Sequence, residues 1–138
     1  VRIQAGDAVP VTQATNNLSA FGYAVQRPHR IGNPNAFANR SASSWFDRSA
    51  FTAAGQYAIG NSSRNPVRGP GLQNADLMLG KTFPISERVN LEFRAEVFNA
   101  GNTPPFNDPN GSFGSPAFGT ITSAGNPRDF EFALKIRF

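Results

Sequence analysis

The chain has 138 residues, a net charge of +4 and 39% hydrophobic residues, the size of one ordinary domain with less apolar content than most. It has no cysteine and a single histidine, which excludes disulfide scaffolds, Cys-ligated metals and thiol nucleophiles and leaves no three-His metal site. No apolar run approaches the roughly 18 residues of a membrane helix, so a helical membrane protein is excluded and a membrane β-barrel stays open.

Phenylalanine is the anomaly, with 13 Phe against two Tyr and one Trp. Aromatics at 12% with only 16% charged residues argue against disorder, which is usually aromatic-poor and highly charged. Residues 1–67 carry six Arg against Asp7 and Asp47, whereas the remainder balances basic and acidic groups. The Arg are scattered and Lys is scarce, so nucleic-acid binding is not expected.

In chain order, residues 1–5 read as the remnant of a strand. Residues 6–70 show no convincing alternation and are rich in Asn, Ser and Gly, with aromatic islands at Trp45-Phe46, Phe51 and Tyr57. They are expected to form one long loop. Residues 72–83 begin the regular structure: Ala75, Leu77, Leu79 and Phe83 share one face, and Lys81 breaks the pattern where a long stem could snorkel. Residues 84–87 are a short turn with Pro84 at its start.

Residues 88–98 alternate apolar odd positions with Asn90, Glu92, Arg94 and Glu96. Pairing Leu79 with Leu91 and Leu77 with Phe93 keeps both apolar faces together and sets Asp76 opposite Arg94. A shift of one pair would oppose Asp76 to Glu96, and like charges directly across a ladder are unfavourable. Residues 99–127 read as a second loop in which only Phe118–Thr122 looks extended. Residues 128–138 are the clearest strand: Phe130, Phe132, Leu134, Ile136 and Phe138 line one face, with charged residues and Ala133 on the other.

Few strands and such long loops do not make a self-contained domain. The chain, which lacks an initial Met or leader pattern, therefore reads as a piece whose remaining sheet lies upstream of Val1. Very long, tight and long connections alternate, as the extracellular loops and periplasmic turns of outer-membrane barrels do. The strand lengths suit tilted membrane strands. A half-buried soluble sheet shows the same alternation, but strand length, loop asymmetry and the terminal aromatic favour the barrel. The expected fold class is all-β: antiparallel C-terminal strands of a transmembrane β-barrel, with membrane strands at 72–83, 88–98 and 128–138 and extracellular loops at 6–70 and 99–127.

The last strand, Phe130–Phe138, resembles the outer-membrane assembly signal read by the barrel-assembly machinery, with Phe130, Phe132, Leu134, Ile136 and Phe138 as its apolar residues. Trp45-Phe46-Asp47-Arg48-Ser49-Ala50-Phe51, Gly60-Asn61-Ser62-Ser63-Arg64-Asn65, Arg68-Gly69-Pro70-Gly71 and Asn74-Ala75-Asp76-Leu77-Met78-Leu79-Gly80-Lys81 follow one another in order. Phe93-Arg94-Ala95-Glu96-Val97-Phe98-Asn99, then Asn102 and Phe106, come next. This succession resembles the C-terminal end of TonB-dependent receptors, particularly the large Oar-like, acidobacterial type with an N-terminal carboxypeptidase-regulatory-like domain. Gly80 departs from that pattern, which often has a larger apolar residue there.

The resemblance implies a plugged barrel of about 22 strands, energised by TonB–ExbB–ExbD through N-terminal parts absent from this chain. It implies energy-coupled uptake of a ligand such as a glycan or siderophore, and residence in the bacterial outer membrane. The competing reading is a soluble or surface-exposed β-rich binding or adhesion module.

No catalytic constellation, metal set or cofactor motif is present, so an enzyme is not expected. Arg68-Gly69-Pro70-Gly71 lacks the ending of a phosphate loop. Glu92 and Glu96, with Arg94 between them and Asp76 across the ladder, read as a lumenal charge network rather than an acid/base pair. Arg27, Arg30, Arg40, Arg64 and Arg68 either form a basic extracellular rim for anionic ligands or lipopolysaccharide phosphates, or keep the loop soluble. Trp45 and Phe46 either stack on a flat ligand or anchor the loop by packing. The ligand-binding candidates are thus Arg27, Arg30, Trp45, Phe46, Arg64 and Arg68, and the expected partners are outer-membrane lipid, lipopolysaccharide and the assembly machinery.

Overall fold

The computed structural model describes residues Val1–Phe138. Its strands are β1 (Arg2–Gln4), β2 (Ala8–Val9), β3 (Thr12–Gln13), β4 (His29–Arg30), β5 (Phe51–Thr52) and β6 (Val67–Arg68). They continue with β7 (Leu72–Asn74), β8 (Leu77–Pro84), β9 (Asn90–Phe98), β10 (Ser112–Phe113) and β11 (Asp129–Arg137). Short 3-10 turns occupy Ser19–Phe21 and Arg48–Ala50. Contacts divide these elements into two units, one of Val1–Gln4, Leu72–Pro105 and Gly125–Phe138 and the other of Ala5–Gly71 and Phe106–Ala124.

In the first unit β9 is the middle strand of an antiparallel sheet ordered β11-β9-β8. Alternation decides its faces, since paired residues in a ladder project to the same side. Leu77, Leu79, Lys81 and Phe83 pair with Val97, Ala95, Phe93 and Leu91, and Phe130, Phe132, Leu134 and Ile136 pair with the same four residues from the other side. One face is therefore apolar across all three strands. Lys81 is its one cation, with Nζ 5.0 Å from the centroid of the Phe83 ring. Phe93 and Phe132 stack across the ladder at 6.4 Å. The sheet is open and its apolar face is bare, with Leu79 69% and Phe132 70% exposed.

The hairpin register differs from the expected one. Leu77 faces Val97 rather than Phe93, Leu79 faces Ala95 rather than Leu91, and Gly80 rather than Asp76 lies opposite Arg94. The turn sets this offset. Pro84 remains in the ladder opposite Asn90, and the reversal spans Ile85–Val89, closed by Ile85 N–H to Val89 O at 2.9 Å and Val89 N–H to Ser86 O at 3.3 Å. A longer loop keeps face parity but slides the partner along, which parity alone does not reveal.

The segment expected as one strand over 72–83 is two. β7 pairs with β1 in a separate antiparallel ladder, Arg2 facing Asn74 and Gln4 facing Leu72. Ala75 and Asp76 interrupt it because their acceptors turn to the exit of β9: Ala75 O takes Ala100 N–H at 2.7 Å and Asp76 Oδ1 takes Asn99 N–H at 2.9 Å.

The second unit overturns the expectation of structureless loops at 6–70 and 99–127. Val9, Val11, Phe46, Ala50, Phe51, Val67 and Phe118 form a buried cluster, with Trp45 and Phe113 packed against it. Phe118 meets Phe46, Phe51 and Phe113 edge to face at 5.1, 5.8 and 5.4 Å, geometry that adds to burial through the ring quadrupoles. Paired dipeptides bring distant stretches together: Val9 with Val67, Arg30 with Phe51, and Phe113 with Gln13 in parallel. Such short elements carry no periodic signal, and buried side-chain amides do the remaining pairing. Phe118–Thr122 is not a strand: a turn carries Phe118 into the core, and Gly119 at φ 79 supplies its left-handed residue.

Candidate functional site

The face of the β8-β9-β11 sheet opposite the apolar one carries the charges. On β9, Glu92, Arg94 and Glu96 project together because they are two residues apart. Arg94 Nη2 lies 3.7 Å from Glu92 Oε1 and Nη1 3.5 Å from Glu96 Oε1. Arg137, diagonal to Glu92 on the ladder, makes the shortest pair, Nη2 to Glu92 Oε2 at 2.8 Å. The cross-strand neighbours of Arg94 are Gly80 and Ala133. Neither carries atoms beyond Cβ, so the guanidinium has free space on both sides. Glu92, Arg94, Ala133, Lys135 and Arg137 line a shallow cleft of about 190 Å³ on this face.

Asp76 does not join this group. Besides Asn99 N–H, it accepts from Asn74 Nδ2 at 3.3 Å, at the end of the sheet where β9 exits. Gly80 takes the place foreseen for Asp76 opposite Arg94, and Arg137, absent from the expected network, joins it through Glu92. Glu131 sits directly opposite Glu96, a like-charge pair at the other end of the row from Arg137.

The β9 exit is held by side-chain amides. Asn99 is buried at φ 49 and Asn102 stands at φ 50, a left-handed conformation that Asn tolerates better than most residues. Asn99 Oδ1 accepts from Thr103 N–H at 3.1 Å and its Nδ2 donates to Asn126 O at 3.3 Å. Asn102 Oδ1 accepts Arg128 N–H at 3.2 Å. The Asn residues around 99–127 thus tie the exit of β9 to the start of β11.

The expected ligand residues divide. Phe46 is 1% exposed at the centre of the aromatic cluster, which removes it from any ligand surface; a lone Phe beside Trp carries no sequence signal separating the two roles. Trp45 is half-buried, its Nε1 donates to Arg68 O at 2.9 Å, and Arg40 lies over its ring at 5.6 Å. Arg27, Arg30, Arg64 and Arg68 are exposed. Arg27 Nη1 reaches Ser62 O at 3.5 Å, and the backbone N–H groups of Arg30 and Arg68 are held by Asn61 Oδ1 at 2.6 Å and Asn35 Oδ1 at 2.9 Å. Phe130, Phe132, Leu134 and Ile136 lie on the apolar sheet face, and Phe138 is fully exposed beyond the last ladder pair.

Sequence reasoning missed Gln26. It is 1% exposed; its Nε2 donates to Gly55 O at 3.2 Å and Ala58 O at 2.9 Å, while Oε1 accepts from Gln13 Nε2 at 3.1 Å and Asn17 N–H at 2.9 Å. A lone Gln between Val25 and Arg27 offers nothing to mark it as a buried clamp.

An antiparallel sheet with one bare apolar face, one charged face, and strands of eight and nine residues is the pattern of a membrane β-sheet protein, whose two faces meet hydrocarbon and water. Residues 1–131 match the family described as outer membrane beta barrel domain. The chain belongs to that family and is a bacterial outer-membrane protein. Neither the curated proteins nor the solved structures yielded a match.

Proposed function

We propose that this chain forms the last strands and two folded extracellular excursions of a TonB-dependent receptor, contributing wall, lumen lining and outer surface to energy-coupled uptake of a ligand such as a glycan or siderophore. The ordered run of motifs from Trp45 to Asn102, ending on the amphipathic β11, is the observation that carries this reading. In it, the apolar face of β8, β9 and β11 meets lipid, and Glu92, Arg94, Glu96 and Arg137 face the lumen. The Ile85–Val89 turn is periplasmic, and the unit built on Phe46 and Phe118 lies outside with lipopolysaccharide as its neighbour. β11, with Phe138, is the segment that engages the barrel-assembly machinery.

The test is cross-linking of the full-length gene product, in outer membranes, to the periplasmic domain of TonB. A specific cross-link that strengthens when cells are energised is expected. A gene product that never contacts TonB overturns the reading and leaves an outer-membrane barrel of another kind.

A further inference from the structure

The second unit carries a cleft remote in sequence from Trp45 and Phe46. Along Tyr23–Pro28, Tyr23, Ala24, Val25 and Arg27 are exposed, whereas Gln26 and Pro28 are buried. Ile59–Ser62 lies alongside, with Ser62 N–H donating to Pro28 O at 3.2 Å. The two segments touch so closely that a Cβ on Gly60 would collide with the carbonyls of Arg27 and Pro28. Between them Leu18, Tyr23, Val25, Arg27 and Ile59 line a cleft of about 170 Å³ above Gln26.

Its chemistry is one-sided. Both lone pairs of Gln26 Oε1 and its two amide hydrogens are already used, so the floor offers no free polar group. The remaining lining side chains are apolar or aromatic except the exposed guanidinium of Arg27. Residues 14–31 and 52–65, which build the cleft and its surroundings, contain Arg27, Arg30 and Arg64 and no Asp or Glu. Beside the cleft, Tyr57 is held at φ 62, a left-handed conformation unfavourable for a bulky residue. The result is an exposed ring set edge to face on Phe21 at 5.5 Å. Strain retained to present a side chain is a mark of binding surfaces.

We propose that this cleft binds an anionic amphiphile: a ring or branched alkyl body against Tyr23, Val25 and Ile59, and one carboxylate or similar anion paired with Arg27. Apolar walls that lose water when the ligand covers them supply the affinity, and a charge-assisted hydrogen bond to a weakly hydrated guanidinium fixes orientation. The neighbouring Arg30 and Arg64 add an attractive field without an opposing carboxylate. The site depends on the fold of this unit and not on energy coupling.

The protein in phosphatidylcholine nanodiscs is titrated with phenylbutyrate, its neutral amide and butyrate, read by saturation-transfer NMR against empty nanodiscs. Phenylbutyrate is expected to receive saturation mainly on its ring, with the amide roughly tenfold weaker for want of one charge-assisted bond and butyrate weaker by about tenfold or more because it has no ring to cover the apolar walls. Arg27→Gln should weaken phenylbutyrate by about the same factor, and Ile59→Asp should abolish binding. Equal binding of acid and amide, or signals unchanged in Arg27→Gln, overturns the proposal. Trp45 emission reports whether the unit stays folded; if Ile59→Asp disturbs it, Arg27→Gln, which gives up one long hydrogen bond to Ser62 O at 3.5 Å, decides alone.

Discussion

Asp76 Oδ1 accepts the backbone N–H of Asn99 at 2.9 Å, joining the residue just before β8 to the residue just after β9. Asn99 is the first residue beyond β9, and its N–H goes to this carboxylate instead of to a strand carbonyl. Asp76→Ala should leave that donor without its partner and cost about 1 kcal/mol. Hydrogen exchange should show faster exchange at Asn99 and Ala100 with β9 centre unaffected; unchanged protection would mean the carboxylate is dispensable there.

Asn99 itself separates backbone strain from hydrogen bonding. Asn99→Gly keeps the φ of 49 accessible but loses the bonds to Thr103 and Asn126, whereas Asn99→Ala loses both. The alanine variant should therefore be less stable than the glycine variant by roughly 1 kcal/mol, the left-handed penalty of a residue with Cβ. Denaturant midpoints of the two variants in the same micelles measure the difference.

Glu131 opposite Glu96 is the one like-charge pair in the charged row. Replacing Glu131 by Lys turns repulsion into attraction and should stabilise the sheet by roughly 0.2–1 kcal/mol. The gain should fall as salt rises, since both groups are solvent-accessible. A rise in the urea midpoint at low salt that vanishes at high salt is the expected result.

The two faces of β11 should respond unequally to the same new charge. Phe132→Arg places a guanidinium on the apolar face and should cost about 2–4 kcal/mol in a bilayer if it sits near the midplane. Ala133→Arg, one residue on, faces Arg94 on the charged side and should cost much less. Folded yield in lipid vesicles distinguishes them, and equal losses would contradict the assignment of faces.

Phe118 touches three aromatic rings, so Phe118→Ala should remove about 3–5 kcal/mol from the second unit. Trp45, packed at the edge of that cluster, supplies the reading. Its emission should shift to longer wavelength, and its indole should become accessible to quenchers.

Strict alternation over 128–138 and 88–98, and the alternation over 72–83 that Lys81 breaks, made the three main strands, their two faces and the face parity of their pairing legible in the sequence. A period of two is a local property, repeated at every second residue and independent of the partner. The pairing of Arg94 with Glu92 and Glu96 was legible for the same reason, since residues two apart on one strand share a face.

The remaining features depend on single contacts between distant residues. Turn closure at Ile85–Val89 set the register and sent Asp76 to Asn99 instead of Arg94. Arg137 reached Glu92 because the ladder of β11 on β9 places it there. Residues 6–70 and 99–127, each aperiodic alone, fold because Phe46, Phe51, Phe113 and Phe118 bury one another and Gln26 satisfies four partners at once. A core assembled from isolated aromatics and amides in separate stretches has no period for a sequence to display. The Phe excess is divided mainly between the membrane sheet and this core.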